Sequence, residues 1–295
     1  MVIMEDGFSL KDSTVGIVGL GLMGGSLAMS LKGKCARLIG YDTHPPTLEV
    51  ALSKGIVDHA EMLFPSPTGG GERGEGKVNL LILATPVPSI VNFLQQLSVS
   101  ELKSPIIILD IGSTKRDILR AMSALPENFD PLGGHPICGR EKLGLENADA
   151  NLYQNAPFVI TPLERTTQHA LRIARQLVSA LGAKYIEMNA DDHDRILAST
   201  SHLPFLLASA LVHSTAHDFA PLTGPGFRST SRLAGTPSSM MLGILKSNRD
   251  NVLSALSAFQ EQLARIKLSL MAEDYTALEN ILNQSQADYL ALVDG

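Results

Sequence analysis

Three glycines at a fixed spacing, Gly19-Leu-Gly21-Leu-Met-Gly24, constrain this chain more than any other feature. They follow an apolar run over 14–20 that reads as a buried strand, and they open a helical segment over about 24–32. A strand turning through G-x-G-x-x-G into a helix is the phosphate-binding end of a dinucleotide fold. Gly19 permits the tight turn, Gly21 lets the main chain approach a pyrophosphate, and Gly24 lets helix and strand pack closely. Leu22 and Met23, between the second and third glycines, lead into the helix start, whose free N–H groups meet the phosphates.

A second strand over 37–41 ends at Asp42, whose carboxylate can accept hydrogen bonds from the adenosine ribose hydroxyls. The same charge repels a 2′-phosphate, and Thr43-His44 supplies no arginine to hold one, so NAD is favoured over NADP. Asp42 reads alternatively as a turn former before Pro45-Pro46. A helix over 47–54 and short apolar runs over 78–84 and 106–111 continue the alternation of strand and helix. Thr85-Pro86 closes the third strand at the carboxyl edge, where cofactors lie. Strands over 158–161 and 184–188 flank an amphipathic helix over 167–181. The implied fold is α/β: a Rossmann-type dinucleotide-binding domain over 1–189, built on a parallel, doubly wound sheet.

From Asp191 onward the pattern is helical, which defines an all-α second domain over 190–295. Asp191 and Asp192 can cap its first helix, and a kink or break is expected at Pro204. Leu256, Phe259, Leu263, Ile266 and Leu270 repeat at three- and four-residue spacing. Such a seam fits a core helix or a subunit interface equally well, and a dimerisation domain accommodates it.

A net charge of −6 leaves no footprint for nucleic acid or anionic membrane, so the expected partners are a small molecule and a second protein chain. The runs over 80–84 and 106–111 are too short to span a bilayer. The N-terminus is acidic and lacks an apolar signal core, and the two cysteines, Cys35 and Cys138, form no framework. A reduced, cytoplasmic chain is the expectation. Glycine-rich residues 65–77 read as an exposed loop without the lysine–hydroxyl pairing of a phosphate cradle. His213 and His217 share helical spacing but have no convincing third ligand nearby, so no metal site is expected.

Leu132-Gly-Gly-His-Pro-Ile137 is the candidate chemical centre. Two glycines and a proline around His135 suggest a tight loop. Facing a nicotinamide, that imidazole can take a proton from a substrate hydroxyl while hydride leaves the same carbon.

Six segments together carry a resemblance. They are GLGLMGGSLA (19–28), DIGSTK (110–115), GGHPICGREKLGLENA (133–148), NLYQNAPFVITP (151–162), DDHDRILASTSHLP (191–204) and GFRSTSRLA (226–234). In this order, over about residues 14–270, they resemble the prephenate/arogenate dehydrogenases of tyrosine biosynthesis. The resemblance implies NAD-dependent oxidative decarboxylation of a cyclohexadienol, in a homodimer that pairs through its helical domains. It makes His135 the catalytic histidine and Ser113 the serine that orients it and borders the nicotinamide. Arg232 becomes the arginine that grips a substrate carboxylate, a task suited to a bidentate guanidinium. Ser201 and His202 belong to a motif facing the cleft, Glu141 to an acid that helps close it, and Lys115 lies beside Ser113 without an assigned role.

Residue by residue, plainer readings stand beside these. Ser113 fits a helix cap, His202 a satisfied core histidine, and His193, between two acids, a capping residue. Ser229 and Phe205 depart from residues that many relatives use to choose between keto and amino side chains, which leaves prephenate against arogenate open. Two-domain dehydrogenases of other hydroxy acids place a catalytic lysine where this chain reads DDHDRILASTSHLP. A non-catalytic dinucleotide sensor would have no use for His135, Ser113 and Arg232 together.

Overall fold

The computed structural model describes residues 8–62, 78–97, 106–140 and 142–293. Among them, eight strands form one sheet in the order β3-β2-β1-β4-β5-β6-β7-β8. They are β1 Thr14–Val18, β2 Arg37–Asp42, β3 His59–Met62, β4 Leu80–Leu83, β5 Ile106–Asp110, β6 Phe129–Pro136, β7 Pro157–Pro162 and β8 Lys184–Glu187. Neighbours are parallel except β6 and β7, which run antiparallel. Strands β1 and β4 are buried along their whole length, as unbroken apolar runs are when helices cover both faces of a parallel sheet.

Helices α1 Leu22–Leu31, α2 Pro45–Ser53, α3 Val87–Gln96, α4 Arg116–Ser123 and α5 Gln168–Ala180 supply those covers. Leu27, Leu31, Leu48, Ala51, Ile173 and Leu177 pack with Val15 and Ile17 on one face. Ile90, Leu94, Ile118 and Met122 pack with Leu83 and Ile108 on the other. The strand order reverses between β1 and β4, and a crevice outside the carboxyl ends at such a point is where this architecture holds ligands.

The last strand ends at Glu187 and the remainder is helical. Its helices are α6 Ala190–Leu197, α7 Leu203–His213, α8 Pro225–Ser231, α9 Ser238–Ser247, α10 Arg249–Met271 and α11 Tyr275–Val293. Asn189, rather than Asp191 or Asp192, caps α6, its side chain accepting from Asp192 N at 2.8 Å. A π-helical turn, Ala198–His202, joins α6 to α7, so the expected irregularity falls before Pro204 rather than at it. The joined stretch Ala190–His213 is long and apolar enough to cross a membrane by length and composition alone, unlike the strand runs. Its first turns are nevertheless bonded into the sheet domain, through Asp194.

Three further expectations change. Pro45 and Pro46 start α2 instead of ending a turn, since proline's missing N–H costs nothing in a first helical turn. Strand β3 and helix α3 were not anticipated: β3 is short and mostly exposed, so it carries no apolar alternation. Leu132–Pro136 belongs to strand β6, not to a loop. Its glycines exist for close packing: a Cβ on Gly134 would sit 2.7 Å from the Asp110 carbonyl oxygen, and one on Gly133 would sit 3.0 Å from that of Thr161.

The α10 seam is partly open in the single chain: Leu263 is 53% and Leu270 52% exposed, while Leu256, Phe259 and Ile266 are half-buried. Apolar side chains left at the surface of one chain are what a second chain can cover.

Gly134→Ala is expected to lower the free energy of unfolding by about 1–3 kcal/mol, because backbone atoms on β5 cannot make room for the methyl group. A urea titration reads the change directly.

Candidate active site

The glycine turn shows why two of its three positions exclude a side chain and the third faces open space. Gly19 has φ +92°, and a Cβ there would meet Thr85 and the Ala84 carbonyl. A Cβ on Gly24 would fall 1.8 Å from the Gly19 carbonyl oxygen. At Gly21 the space is open, as a site for an approaching ligand requires. Gly21 begins α1 with no capping side chain, which leaves the first helical N–H groups facing that space. These features fit a bound pyrophosphate.

Asp42 stands at the end of β2, its Oδ2 accepting from Leu20 N at 2.8 Å and its Oδ1 from His44 N at 2.9 Å. Both bonds fix the carboxylate beside the turn and leave each oxygen able to accept once more. Thr85 and Pro86 follow β4 on the same edge of the sheet, with the Thr85 methyl against Gly19. The 142–156 segment braces α1 from behind. Ser26 Oγ accepts from Asp149 N at 2.9 Å, and Tyr153, fully buried, donates its hydroxyl to the Met23 carbonyl at 2.7 Å.

His135 ends the neighbouring region of this edge, near the carboxyl terminus of β6. Its Nδ1 lies 2.9 Å from Nε2 of His193, whose Nδ1 lies 2.8 Å from Oδ1 of Asp194. His193 and Asp194 are both fully buried at the start of α6. Asp194 also accepts from the backbone N–H of Lys115 at 2.7 Å and of Arg116 at 3.0 Å. It thereby caps α4 from another domain, placing a carboxylate where the helix dipole favours one.

Lys115 has no exposed surface, and its ammonium is paired with Asp110 while donating to the Gly134 carbonyl at 2.5 Å. Asp110 additionally accepts from Gly112 N at 2.8 Å. Behind this cluster, buried Asn248 donates to the Asp194 carbonyl at 2.6 Å and lies 3.2 Å from His202 Nδ1. Arg116 reaches both carboxylate oxygens of Asp250, which closes the junction between the two domains.

Burial dominates the titration of these groups. It pushes the Lys115 amine down and the Asp110 carboxyl up, each opposed by the attraction between them. Burial also works against ionised Asp194, but the bonds from His193 and from the Arg116 and Lys115 amides outweigh it and hold that carboxyl below its usual range. His135 is driven well below the usual histidine value, first by burial and then by His193 and Lys115. The imidazole is therefore neutral at physiological pH, the form in which a histidine accepts a proton.

The remaining sequence-derived residues take varied places. Ser113, partly exposed after β5, makes no hydrogen bond to His135; His193 occupies that part, where sequence reading had it capping a helix. His202 is buried in the π-helical turn, and Ser201 beside it is exposed. Arg232 is exposed on a 3₁₀ turn, Arg232–Gly235, that packs against α7. Glu141 and residues 65–77 lie outside the described residues. Among the described residues no cluster of three His, Cys, Asp or Glu suits a metal ion. Sequence reading missed Asp194, Asp110 and Asn248; the His-Asp pair opening the second domain was the available signal.

His202 is pushed down to about 4 by its burial. Between pH 6.5 and about 4 the unfolded chain binds a proton that native His202 refuses, so stability is complete above this window and falls as pH drops through it. The slope contributed is at most ~1.4 kcal/mol per pH unit. Urea midpoints measured across the window are expected to decline, and His202→Gln should flatten the decline.

The nucleotide-binding domain of prephenate dehydrogenase matches residues 27–187, and the prephenate dehydrogenase dimerization domain matches 189–284. A prephenate dehydrogenase of Bacillus subtilis is 32% identical over 276 residues, 90% of this chain and 72% of the relative. The crystal structure of the A. aeolicus prephenate dehydrogenase with hydroxyphenyl propionate and NAD+ superimposes with a TM-score of 0.84 at 27% identity, covering 97% of this chain and 100% of that one. Synechocystis arogenate dehydrogenase does so with 0.74 at 28% identity, covering 95% and 100%. With both domain models matched in order and a relative of this identity, the chain belongs to the prephenate dehydrogenase family of oxidoreductases.

Proposed function

We propose that this chain oxidatively decarboxylates prephenate to 4-hydroxyphenylpyruvate with NAD, in tyrosine biosynthesis. The observation that carries this reading is the neutral imidazole of His135, held on the same sheet edge as the dinucleotide turn Gly19–Gly24. NAD+, when bound, supplies the hydride acceptor. His135 accepts the hydroxyl proton as hydride leaves the ring carbon that bears it. The ring carboxylate departs as carbon dioxide, its electron pair stays to complete the aromatic ring, and the proton can return to the phenolate oxygen so formed.

Asp42 favours NAD over NADP by repelling a 2′-phosphate. Ser113 borders the nicotinamide, Arg232 takes a substrate carboxylate, and Glu141 and the Ser201–His202 pair contribute to closing and shaping the cleft. His202 acts from behind the surface, since it is buried against Asn248. The partly open apolar stripe of α10 and the match to a dimerization domain support a homodimer. Two free cysteines fit a cytoplasmic chain. Arogenate is the second reading, carried by the likeness to the Synechocystis arogenate dehydrogenase.

Absorbance at 340 nm, with prephenate or arogenate and with NAD or NADP, tests these choices. Reduction of NAD by prephenate is expected. Reduction by arogenate alone would overturn the substrate, and none with either would overturn the reaction. His135→Asn should lower kcat by roughly 100-fold or more while NAD still binds. Arg232→Gln should act on KM, at a cost of about 2–5 kcal/mol in substrate binding if the ion pair forms away from water. Wild-type constants in both variants would sink the site assignment.

A further inference from the structure

We propose that His193 and Asp194 are positioning residues that fix the tautomer of His135, keeping its Nε2 free of hydrogen and ready to accept the substrate proton. The inference rests on reading His135 as the base, and it follows from the chain of contacts His135 Nδ1–His193 Nε2–Asp194 Oδ1 at 2.9 and 2.8 Å. An ionised carboxylate has only acceptors, so His193 Nδ1 carries the hydrogen of the second contact. Neutral His193 then presents a bare Nε2, and the hydrogen of the first contact belongs to His135 Nδ1. The other nitrogen of His135, Nε2, is left as the acceptor.

The opposite assignment needs a doubly protonated His193, whose Nε2–H would donate to His135 Nδ1 and move the His135 hydrogen to Nε2. The surroundings disfavour a cation there. His193 is fully buried. The charge of Asp194 is already answered by two N–H groups at the start of α4 and by the Arg116 guanidinium, whose Nε lies 3.5 Å away. A doubly protonated His193 would add a further charge to an interior closed to water, and Asp194, already shared among those donors, offsets that cost only in part.

The arrangement also serves the step itself. The substrate O–H bond breaks and an Nε2–H bond forms, which leaves His135 as an imidazolium. Its Nδ1–H already points at His193, and Asp194 lies one ring further on, so the new charge meets aligned acceptors without rearrangement. Both ends of the relay are tied to one residue: Lys115 holds Asp194 through its backbone N–H and holds the Gly134 carbonyl, next to His135, through its ammonium.

Nitrogen-15 NMR of histidine-labelled protein with NAD bound tests the tautomer, the His135 signals being assigned by their loss in His135→Asn. Nδ1 is expected as the hydrogen-bearing nitrogen and Nε2 as the bare one. In His193→Leu the assignment should mix or reverse, with kcat lowered roughly 10- to 100-fold and KM little changed. His193→Gln should recover much of both, because its amide oxygen can accept from Nδ1–H. A hydrogen on Nε2 in the wild type would overturn the proposal, as would a His193→Leu protein unchanged in tautomer and kcat. Where His193→Leu fails to fold, the wild-type spectrum decides. A wild-type protein inert towards prephenate and arogenate but carrying Nδ1–H would remove the catalytic reading and leave the relay standing.

Discussion

One buried ion pair holds the two domains in a working relation. Lys115 lies wholly inside the protein, with its ammonium on Asp110 and on the Gly134 carbonyl and its backbone N–H on Asp194. It therefore ties the end of β5, the end of β6 that carries His135 and the first helix of the second domain. Buried pairs of this kind contribute little net stability against an apolar replacement, since both charges leave water. What such a pair supplies is position: neither partner can move without exposing the other to an uncompensated interior. The glycines of β6 belong to the same constraint, because Gly134 must approach Asp110 more closely than any side chain permits.

The junction extends outward from this pair by successive hydrogen bonds. Asp194 caps α4, Asn248 holds the Asp194 carbonyl, and Arg116 crosses to Asp250 at the start of α10. Directional contacts suit a cleft whose two walls must keep a fixed separation. The helical half, by contrast, buries few of its apolar side chains within the chain, and many leucines of α10 and α11 remain exposed. Its precision is greatest where it meets the sheet, and its apolar surface is greatest where a second chain can cover it.

The dinucleotide half was legible because its demands are local. A glycine forced to φ +92° and another 1.8 Å from a carbonyl leave their mark directly in the sequence, as do apolar runs buried on both faces. Strand β6 was hidden by the same residue type: Gly133 and Gly134 look like a turn, yet they are selected by neighbours on β5 and β7 that no local window contains. His135 was legible as a chemical group, but the partner that orients it was not. His193 looked like a capping residue between acids, while Asn189 performs the capping and His193 points into the interior.

The exchange of partners around His135 bears on how a base of this kind is prepared. A serine hydroxyl can donate or accept, so by itself it leaves the imidazole hydrogen free to occupy either nitrogen. A carboxylate can only accept, and its demand is passed through an intervening ring unchanged in direction. In this protein that carboxylate is anchored by the N–H groups of a helix start and by a residue that also grips the strand bearing His135. Orientation, tautomer and acceptance of charge thus derive from one anchored side chain, and they arise only when the second domain docks on the first. A dinucleotide-binding domain alone would present the same histidine without a defined acceptor nitrogen, which gives a physical reason for the catalytic site to lie at the junction rather than within the sheet.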